Sequence, residues 1–208
     1  MSDSDRSINV AIYWHMHQPE YRDLRNGEYH QPWTYLHTIK DYVDMAAHLE
    51  NTPQAKAVVN FAPVLLEQID DYAKQLDAYL NQGEKIRDPL LSTLAEPVMS
   101  LDEASRMHII ESCLRANRQR LIERYESYTT LAEMAETAIL QREKLAYYSE
   151  QFFTDLLMWY HLAWMGETVR LTDDRVQYLM KKKHNFTLHD RHSLIELICE
   201  IISSVIPR

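Results

Sequence analysis

Two short apolar runs without helical spacing lie in the first third of the chain. Residues 8–14 (Ile-Asn-Val-Ala-Ile-Tyr-Trp) are rich in β-branched and aromatic side chains, and we expect them to form a buried strand. Residues 57–61 (Ala-Val-Val-Asn-Phe) have the same character and predict a second strand. Both runs are apolar on both faces, which is typical of a parallel sheet that is covered on each side.

Helical periodicity follows each predicted strand. Apolar positions three and four residues apart predict a helix over 35–49 and another over 63–80. Pro63 suits the first turn of the second helix, and Gly83 follows its end. The order is therefore strand, loop, helix, strand, helix. Two strands joined by a crossover helix lie parallel and need further strands beside them.

The pattern is helical throughout the rest of the chain. Asp88 stands before a proline, as a helix N-cap does, and Ser100 with Glu103 has the spacing of a capping box. A charged amphipathic stretch follows, and we expect it to break near Asn117 or Thr129. These signals predict several consecutive helices.

The last third contains one strongly apolar helix and one strongly capped helix. Aromatic residues lie on almost every side of 152–164, so we expect that helix to be buried all round and its aromatic side chains to be core. Thr187 and Asp190 again have capping-box spacing, ahead of a last helix that ends at Pro207.

Composition supports a mainly helical protein. Only three glycines occur in 208 residues, where average usage would give about fifteen. Sheet-rich folds use glycine in turns and bulges, so this low number argues against a sandwich or open barrel. A complete parallel α/β barrel takes about 250 residues and eight strands. We therefore predict the opening β/α units of a barrel over 1–87 and a helical insertion over 88–208.

Charge and cysteine usage limit the partners and the compartment. Thirty-one acidic residues against 22 Lys and Arg give a formal charge of -9, which repels nucleic acid and anionic membranes. We interpret the basic run 181–183 as a solvated helix edge. No stretch is long and apolar enough for a membrane span or a secretion signal. Cys113 and Cys199 have apolar helical surroundings, so we expect buried, reduced thiols and a cytoplasmic protein.

Candidate chemistry begins where the first strand ends. His15 and His17 are two residues apart, so their side chains point the same way, and ligands bind at the carboxyl ends of parallel strands. Two imidazoles there can hydrogen-bond sugar hydroxyls or ligate a metal. Gln18 adds an amide, and Tyr13 and Trp14 add apolar planes. This mixture suits a polyol better than a metal.

Three further residues are candidates for the same cleft. Asn60 ends the second predicted strand and could reach the side of the cleft that His17 lines. Trp33 and His37 lie at the start of the first predicted helix, where they could close over the end of the first strand. The predicted substrate-binding set is therefore His15, His17, Gln18, Asn60 and Trp33.

The chain resembles glycoside hydrolase family 57, whose members act on α-glucans as amylases, glucanotransferases, amylopullulanases and branching enzymes. The resemblance rests on these segments: His15-Met16-His17-Gln18-Pro19 with Tyr21, Pro32-Trp33 with Leu36-His37, Asp41-Tyr42-Val43-Asp44-Met45, Val59-Asn60-Phe61 with Pro63 to Ile69, and more loosely Trp159 to Trp164. It implies an incomplete (β/α) barrel of seven strands, in which His17 lines the donor-sugar site and His15 precedes it.

The same resemblance bears on catalysis. The family's nucleophilic glutamate and acid/base aspartate lie in later signatures, which are expected to begin at about Arg208, and no residue here matches either one. Glu67 falls within a helix, and we expect Asp41 and Asp44 to be solvated helix-face acids. Retaining hydrolysis needs two facing carboxyl groups roughly 5 to 5.5 Å apart. We therefore expect no catalytic residue, metal or cofactor in this chain, which would be inactive alone.

The preferred interpretation is thus an N-terminal portion of an α-glucan-active enzyme, α/β by ancestry but mostly α in content. Its partners would be an α-glucan or oligosaccharide and the C-terminal remainder of the enzyme. One alternative is a metal-dependent hydrolase that uses the His-x-His pair. The other is a non-enzymatic helical module whose binding face is the charged region 100–148.

Overall fold

The computed structural model describes residues 10–99 and 102–206, and most of them are helical. The predicted strand residues Ile8 and Asn9, the capping residue Ser100 and the helix-ending Pro207 lie outside the described residues. The described elements, in chain order, are β1 (Ile12–Met16), α1 (Trp33–His37), a π-helical turn (Thr38–Tyr42), α2 (Val43–Glu50), β2 (Ala57–Phe61), α3 (Pro63–Gln82), α4 (Pro89–Ala95), α5 (Glu103–Leu114), a π-helical turn (Arg118–Ile122), α6 (Glu126–Leu140), a 3-10 helix (Arg142–Tyr147), α7 (Glu150–Trp164), α8 (Glu167–Thr172), α9 (Asp174–Lys182) and α10 (Leu188–Val205).

The two predicted strands form a parallel pair. Ile12 lies opposite Ala57 and Met16 opposite Phe61, so all five residues of β1 pair with β2. The second strand has the predicted bounds, whereas β1 begins later than predicted and includes His15 and Met16. The reason is that β2 sets the extent of the ladder. Within the described part of the chain, these two strands make up the sheet.

Among the described residues, helices cover only one face of the sheet. Met16 and Phe61 pack against the helical core. On the other face Tyr13 lies opposite Val58, and the two residues are 60% and 58% exposed. The expectation of a buried strand in a sheet covered on both sides is therefore wrong for the described residues. Apolar residues on the uncovered face made both strands look fully buried in the sequence.

The first two predicted helices are present with small differences. The helix predicted over 35–49 runs from 33 to 50, and the π-helical turn interrupts it in the middle. The second helix runs to Gln82, and Gly83 ends it in the left-handed conformation, with a φ of 71° that glycine adopts without strain.

Capping side chains mark the starts of the later helices. Asp88 caps α4, as predicted. The start of α5 is capped by Asp102. The charged stretch does break at Asn117, whose side chain caps the second π-helical turn, whereas Thr129 lies inside α6.

The core is continuous through the helices. Every residue of α7 from Phe152 to Trp164 is buried, which confirms the helix predicted to be buried all round. The capping box of Thr187 and Asp190 opens α10, as predicted, and α10 packs against α3. Cys113 is buried but Cys199 is only partly so, which corrects the expectation for the second thiol; both are free.

No helix in the described ranges has the length and apolarity that a bilayer span requires. The division of the chain at residue 87 stays a prediction.

Candidate functional site

Two side chains meet across the ends of the paired strands. His15 lies directly opposite Asn60 in the ladder, and its Nδ1 is 2.7 Å from the Oδ1 of that amide. An amide oxygen only accepts, so Nδ1 carries the proton and Nε2 of the neutral ring is left as an acceptor. Both residues are exposed. The strand register thus orients an imidazole on the uncovered face of the sheet.

His17 lies beside His15, as the two-residue spacing predicted. The ring centroids are 5.9 Å apart and the ring planes differ by 10°, so the two imidazoles are stacked. Neither ring nitrogen of His17 has a hydrogen-bond partner among the described residues, and the residue is exposed. The pair and Asn60 therefore present several unsatisfied donors and acceptors to solvent.

Gln18 is held by two tyrosines. Its Oε1 accepts a hydrogen bond of 2.9 Å from the Tyr21 hydroxyl, and its Nε2 donates to the Tyr42 hydroxyl at 3.3 Å. Tyr42 is the last residue of the first π-helical turn. The segment after β1 is thereby connected to the helix over 33–50.

A buried glutamine fixes the loop that carries this segment. Gln68, on α3, is fully buried. Its Nε2 donates to the Pro19 carbonyl at 2.9 Å, and its Oε1 accepts from the Tyr21 backbone N–H at 3.2 Å and from the Thr34 hydroxyl at 3.3 Å. Sequence reasoning missed this role, although Gln68 lies in the stretch from Pro63 to Ile69 that carries part of the family resemblance.

Trp33 lies in a neighbouring cluster and contacts neither His15, His17 nor Asn60 in the described structure. Its ring centroid is 5.9 Å from that of Trp164, and the guanidinium of Arg115 lies over it at 5.0 Å. The structure therefore brings together three of the five predicted binding residues at the strand ends, with Gln18 next to them and Trp33 to one side.

The aromatic residues of α7 are core, as expected. Trp159 is 3% exposed and donates its Nε1 hydrogen bond to the Lys183 carbonyl. His161 is fully buried; its Nδ1 donates to the Leu157 carbonyl and its Nε2 accepts from the Tyr35 hydroxyl at 2.9 Å. Burial lowers the pKa of His161 to about 4, so this ring is neutral.

The candidate carboxylates have structural partners. Glu67 forms an exposed ion pair with Arg22 at 3.1 Å. Asp44 accepts from the backbone N–H groups of Glu167 at 2.6 Å and Thr168 at 3.0 Å, so it caps α8. The expectation that Asp44 is a solvated helix-face acid is therefore wrong, because a distant helix start packs against it. No described carboxylate contacts His15, His17 or Asn60.

The alternatives find no support in this arrangement. No group of three or more His, Cys, Asp or Glu side chains within the described ranges is placed to hold a metal ion. The His-x-His pair has Asn60 as its neighbour and lacks a third strong ligand of the kind that zinc sites use.

Polar side chains lie at the carboxyl ends of the two parallel strands, and helices pack on the other face of the pair. In α/β proteins this end of a parallel sheet is where ligands bind. The chain belongs to glycosyl hydrolase family 57, since the model of that family matches residues 11–204. This match confirms the family resemblance and associates the chain with enzymes that act on carbohydrate. Neither a search of curated proteins nor a search of solved structures finds a match.

Proposed function

We propose that this chain is the opening part of an α-glucan-active hydrolase or glucanotransferase and holds one sugar subsite. The subsite consists of His15, His17, Gln18 and Asn60, with Trp33 at one side. The observation that carries the proposal is the hydrogen bond from His15 to Asn60 on an uncovered sheet face within a family of carbohydrate enzymes.

The chemistry of the subsite suits a pyranose. A sugar hydroxyl can donate to Nε2 of His15 and accept from the amide Nδ2 of Asn60, while His17 offers two further nitrogens. Neutral donors and acceptors in this density match neutral polyols better than charged ligands.

The uncovered face also supports the proposed place of the chain in a barrel. Helices pack on the outside of a (β/α) barrel, so the face with Tyr13 and His15 would line the interior. The free edges of β1 and β2 would pair with further strands, which we assign to the C-terminal remainder of the enzyme. In this account 1–87 supplies the opening β/α units, and 88–208 is a helical insertion beside the cleft.

We further propose that the chain does not cleave glycosides alone. Retaining hydrolysis requires two carboxyl groups across the scissile bond, and no hydrogen bond or ion pair joins a described carboxylate to His15, His17 or Asn60. The catalytic pair would come from the C-terminal remainder, with no metal or cofactor from this chain. We place the enzyme in the cytoplasm on the basis of its free thiols and charge.

Affinity electrophoresis in a gel that contains soluble starch tests the subsite. Starch should retard the wild-type chain, and His17→Ala should abolish most of the retardation. His30→Ala, which changes another exposed histidine, should leave it unchanged. Equal mobility of the folded wild-type chain with and without starch would overturn the proposal. Release of reducing ends that follows the purified protein peak would overturn the proposed lack of activity.

A further inference from the structure

The helix over 33–50 contains an irregularity next to the proposed subsite. The π-helical turn Thr38–Tyr42 joins α1 directly to α2. Such turns are rare within helices and occur frequently at functional sites. Tyr42, at the end of this turn, accepts the hydrogen bond from Gln18 and has its ring centroid 6.4 Å from that of His37. The irregularity therefore lies between the strand ends and a second cluster of side chains.

His37 is held in one orientation within this second cluster. Its Nδ1 is 2.5 Å from the Oδ2 of Asp41, and the ammonium of Lys40 contacts the other oxygen of that carboxylate. Burial alone would raise the pKa of Asp41, but the hydrogen bonds from His37 and Lys40 outweigh burial and lower it. The carboxylate is thus ionised and accepts from Nδ1, while Nε2 of His37 has no partner in the part of the chain that the structure describes.

Trp164 forms the wall of this cluster and leaves a donor unsatisfied. Its ring meets the His37 ring edge to face, with centroids 5.5 Å apart. The residue is only 7% exposed, and its indole Nε1 is a buried donor without a hydrogen-bond partner among the described residues. Buried polar groups in native proteins nearly always have a partner, so this donor requires an explanation.

The ring of Trp33 completes the cluster. It is partly buried, it packs on Trp164, and Arg115 lies over its ring while hydrogen-bonding the side chain of Gln31 at 2.7 Å. The partly buried ring of Trp33 and the imidazole of His37, whose side chain is 32% exposed, form a surface that can pack on one sugar and hydrogen-bond its hydroxyls.

We propose that Trp33, His37 and Trp164 form a second sugar subsite that continues the strand-end subsite along an α-glucan. Asp41 is a positioning residue there: it holds the Nδ1–H of His37 and leaves Nε2 to accept from a sugar hydroxyl. This inference rests on the proposed function, because the sugar must first bind at the strand ends. Tyr42 lies between the two subsites and connects them.

Calorimetric titration with maltotriose and with maltoheptaose tests the second subsite. The wild-type chain should bind maltoheptaose about tenfold more tightly than maltotriose. His37→Ala should remove this gain and leave the affinity for maltotriose unchanged. His192→Ala removes the histidine of an exposed i, i+4 pair with Glu196 on α10 and is the matched control.

The positioning role has its own readout. Asp41→Ala should lose the gain for maltoheptaose, and ¹⁵N NMR of the imidazole should show that His37 no longer holds its proton on Nδ1. Asp41→Asn should restore both, because the amide oxygen also accepts from Nδ1–H. If His37→Ala does not fold, the ¹⁵N resonances of His37 in the wild-type chain test the second subsite instead. They should shift on titration with maltoheptaose.

The outcomes separate the two proposals. Equal affinity of the wild-type chain for the two sugars would overturn the second subsite. The same holds if folded His37→Ala still binds maltoheptaose more tightly than maltotriose. Binding of maltotriose in these cases would uphold the first subsite. If neither sugar bound the folded wild-type chain, both would be overturned. An unchanged His37 tautomer in Asp41→Ala would refute the positioning role alone.

Discussion

Nδ1 of His15 and Oδ1 of Asn60 are 2.7 Å apart across the parallel pairing of β1 and β2. The pair joins two of the segments that carry the family resemblance, and it fixes the proton position of an exposed imidazole. The sugar subsite proposed here depends on this register, since a shift by one residue would turn His15 to the helix-covered face.

Removal of the amide should therefore weaken sugar binding without unfolding the protein. We expect Asn60→Ala to reduce the affinity for maltotriose about fivefold, because one hydrogen bond of about 1 kcal/mol no longer orients His15. The melting temperature should hardly change, since both residues are exposed. Asn81→Ala removes an exposed amide that bonds Asp77 and serves as the control. Equal affinity of Asn60→Ala and wild type would contradict the role of the pair.

Gln68 should matter for both stability and binding. Gln68→Leu leaves the Pro19 carbonyl and the Tyr21 N–H without their buried partner, so we expect a loss of about 1–3 kcal/mol in the free energy of unfolding. Urea unfolding measures this loss. Gln177→Leu, at an exposed position on α9, should cost less than about 0.5 kcal/mol. Similar losses for the two variants would show that Gln68 does not anchor the loop.

The contact between α2 and α8 predicts a coupled pair. Asp44→Ala should cost about 1 kcal/mol, the usual value of an N-cap, whereas exposed Asp70→Ala should cost almost nothing. A Cβ at Gly166 would lie 2.6 Å from Oδ1 of Asp44, so Gly166→Ala should also destabilise the protein. Much of that clash disappears in Asp44→Ala, so the double variant should lose less than the sum of the single losses. Additive losses would contradict the contact.

Two buried titratable groups predict opposing pH effects on stability. Burial raises the pKa of Asp88 to about 6, from an ordinary value of 3.8, and lowers that of His161 to about 4, from 6.5. Between pH 3.8 and 6 the native state holds the Asp88 proton more tightly than the unfolded state does. The contribution of Asp88 to stability therefore falls as the pH rises. Between pH 4 and 6.5 the unfolded state binds the His161 proton, so that contribution rises with pH. Each amounts to about 3 kcal/mol.

Variants separate these two contributions. In wild type the two effects offset each other between pH 4 and 6. In His161→Gln only Asp88 contributes, so the free energy of unfolding should fall as the pH rises. In Asp88→Asn only His161 contributes, so the free energy of unfolding should rise. Urea unfolding at intervals of half a pH unit measures the three curves. Parallel curves would mean that neither group is buried as described.

The sequence was sufficient for the local elements of this fold. Proline, glycine and capping side chains such as Asp88 and Thr187 act within one helical turn, so the starts and ends they predicted are largely present. The π-helical turn at Thr38–Tyr42 was not predictable in this way, because one extra residue barely alters an apolar stripe. The capping of α8 by Asp44 joins residues more than 120 positions apart, which no local pattern encodes.

In the candidate site, too, local sequence predicts some features, and others depend on contacts between distant residues. Two parallel strands with polar ends led us to expect Asn60 near the cleft that His17 lines, and the structure places its amide against His15. The position of Trp33 depends on how α7 packs beside α1, so the sequence could not separate it from the strand-end residues. Asp41 was expected to be a solvated helix-face acid, but its carboxylate pairs with His37. The His37 ring packs against Trp164 at the end of another helix, and the local sequence pattern does not encode this contact.

Imidazole-detected NMR during titration with maltotriose measures whether the strand-end histidines bind sugar. We expect saturable shifts of the ring signals of His15 and His17 with one common dissociation constant, while those of His192 on α10 stay in place. If the ring signals of His15 and His17 do not move in the folded protein at saturating sugar, the proposed subsite at the strand ends is wrong.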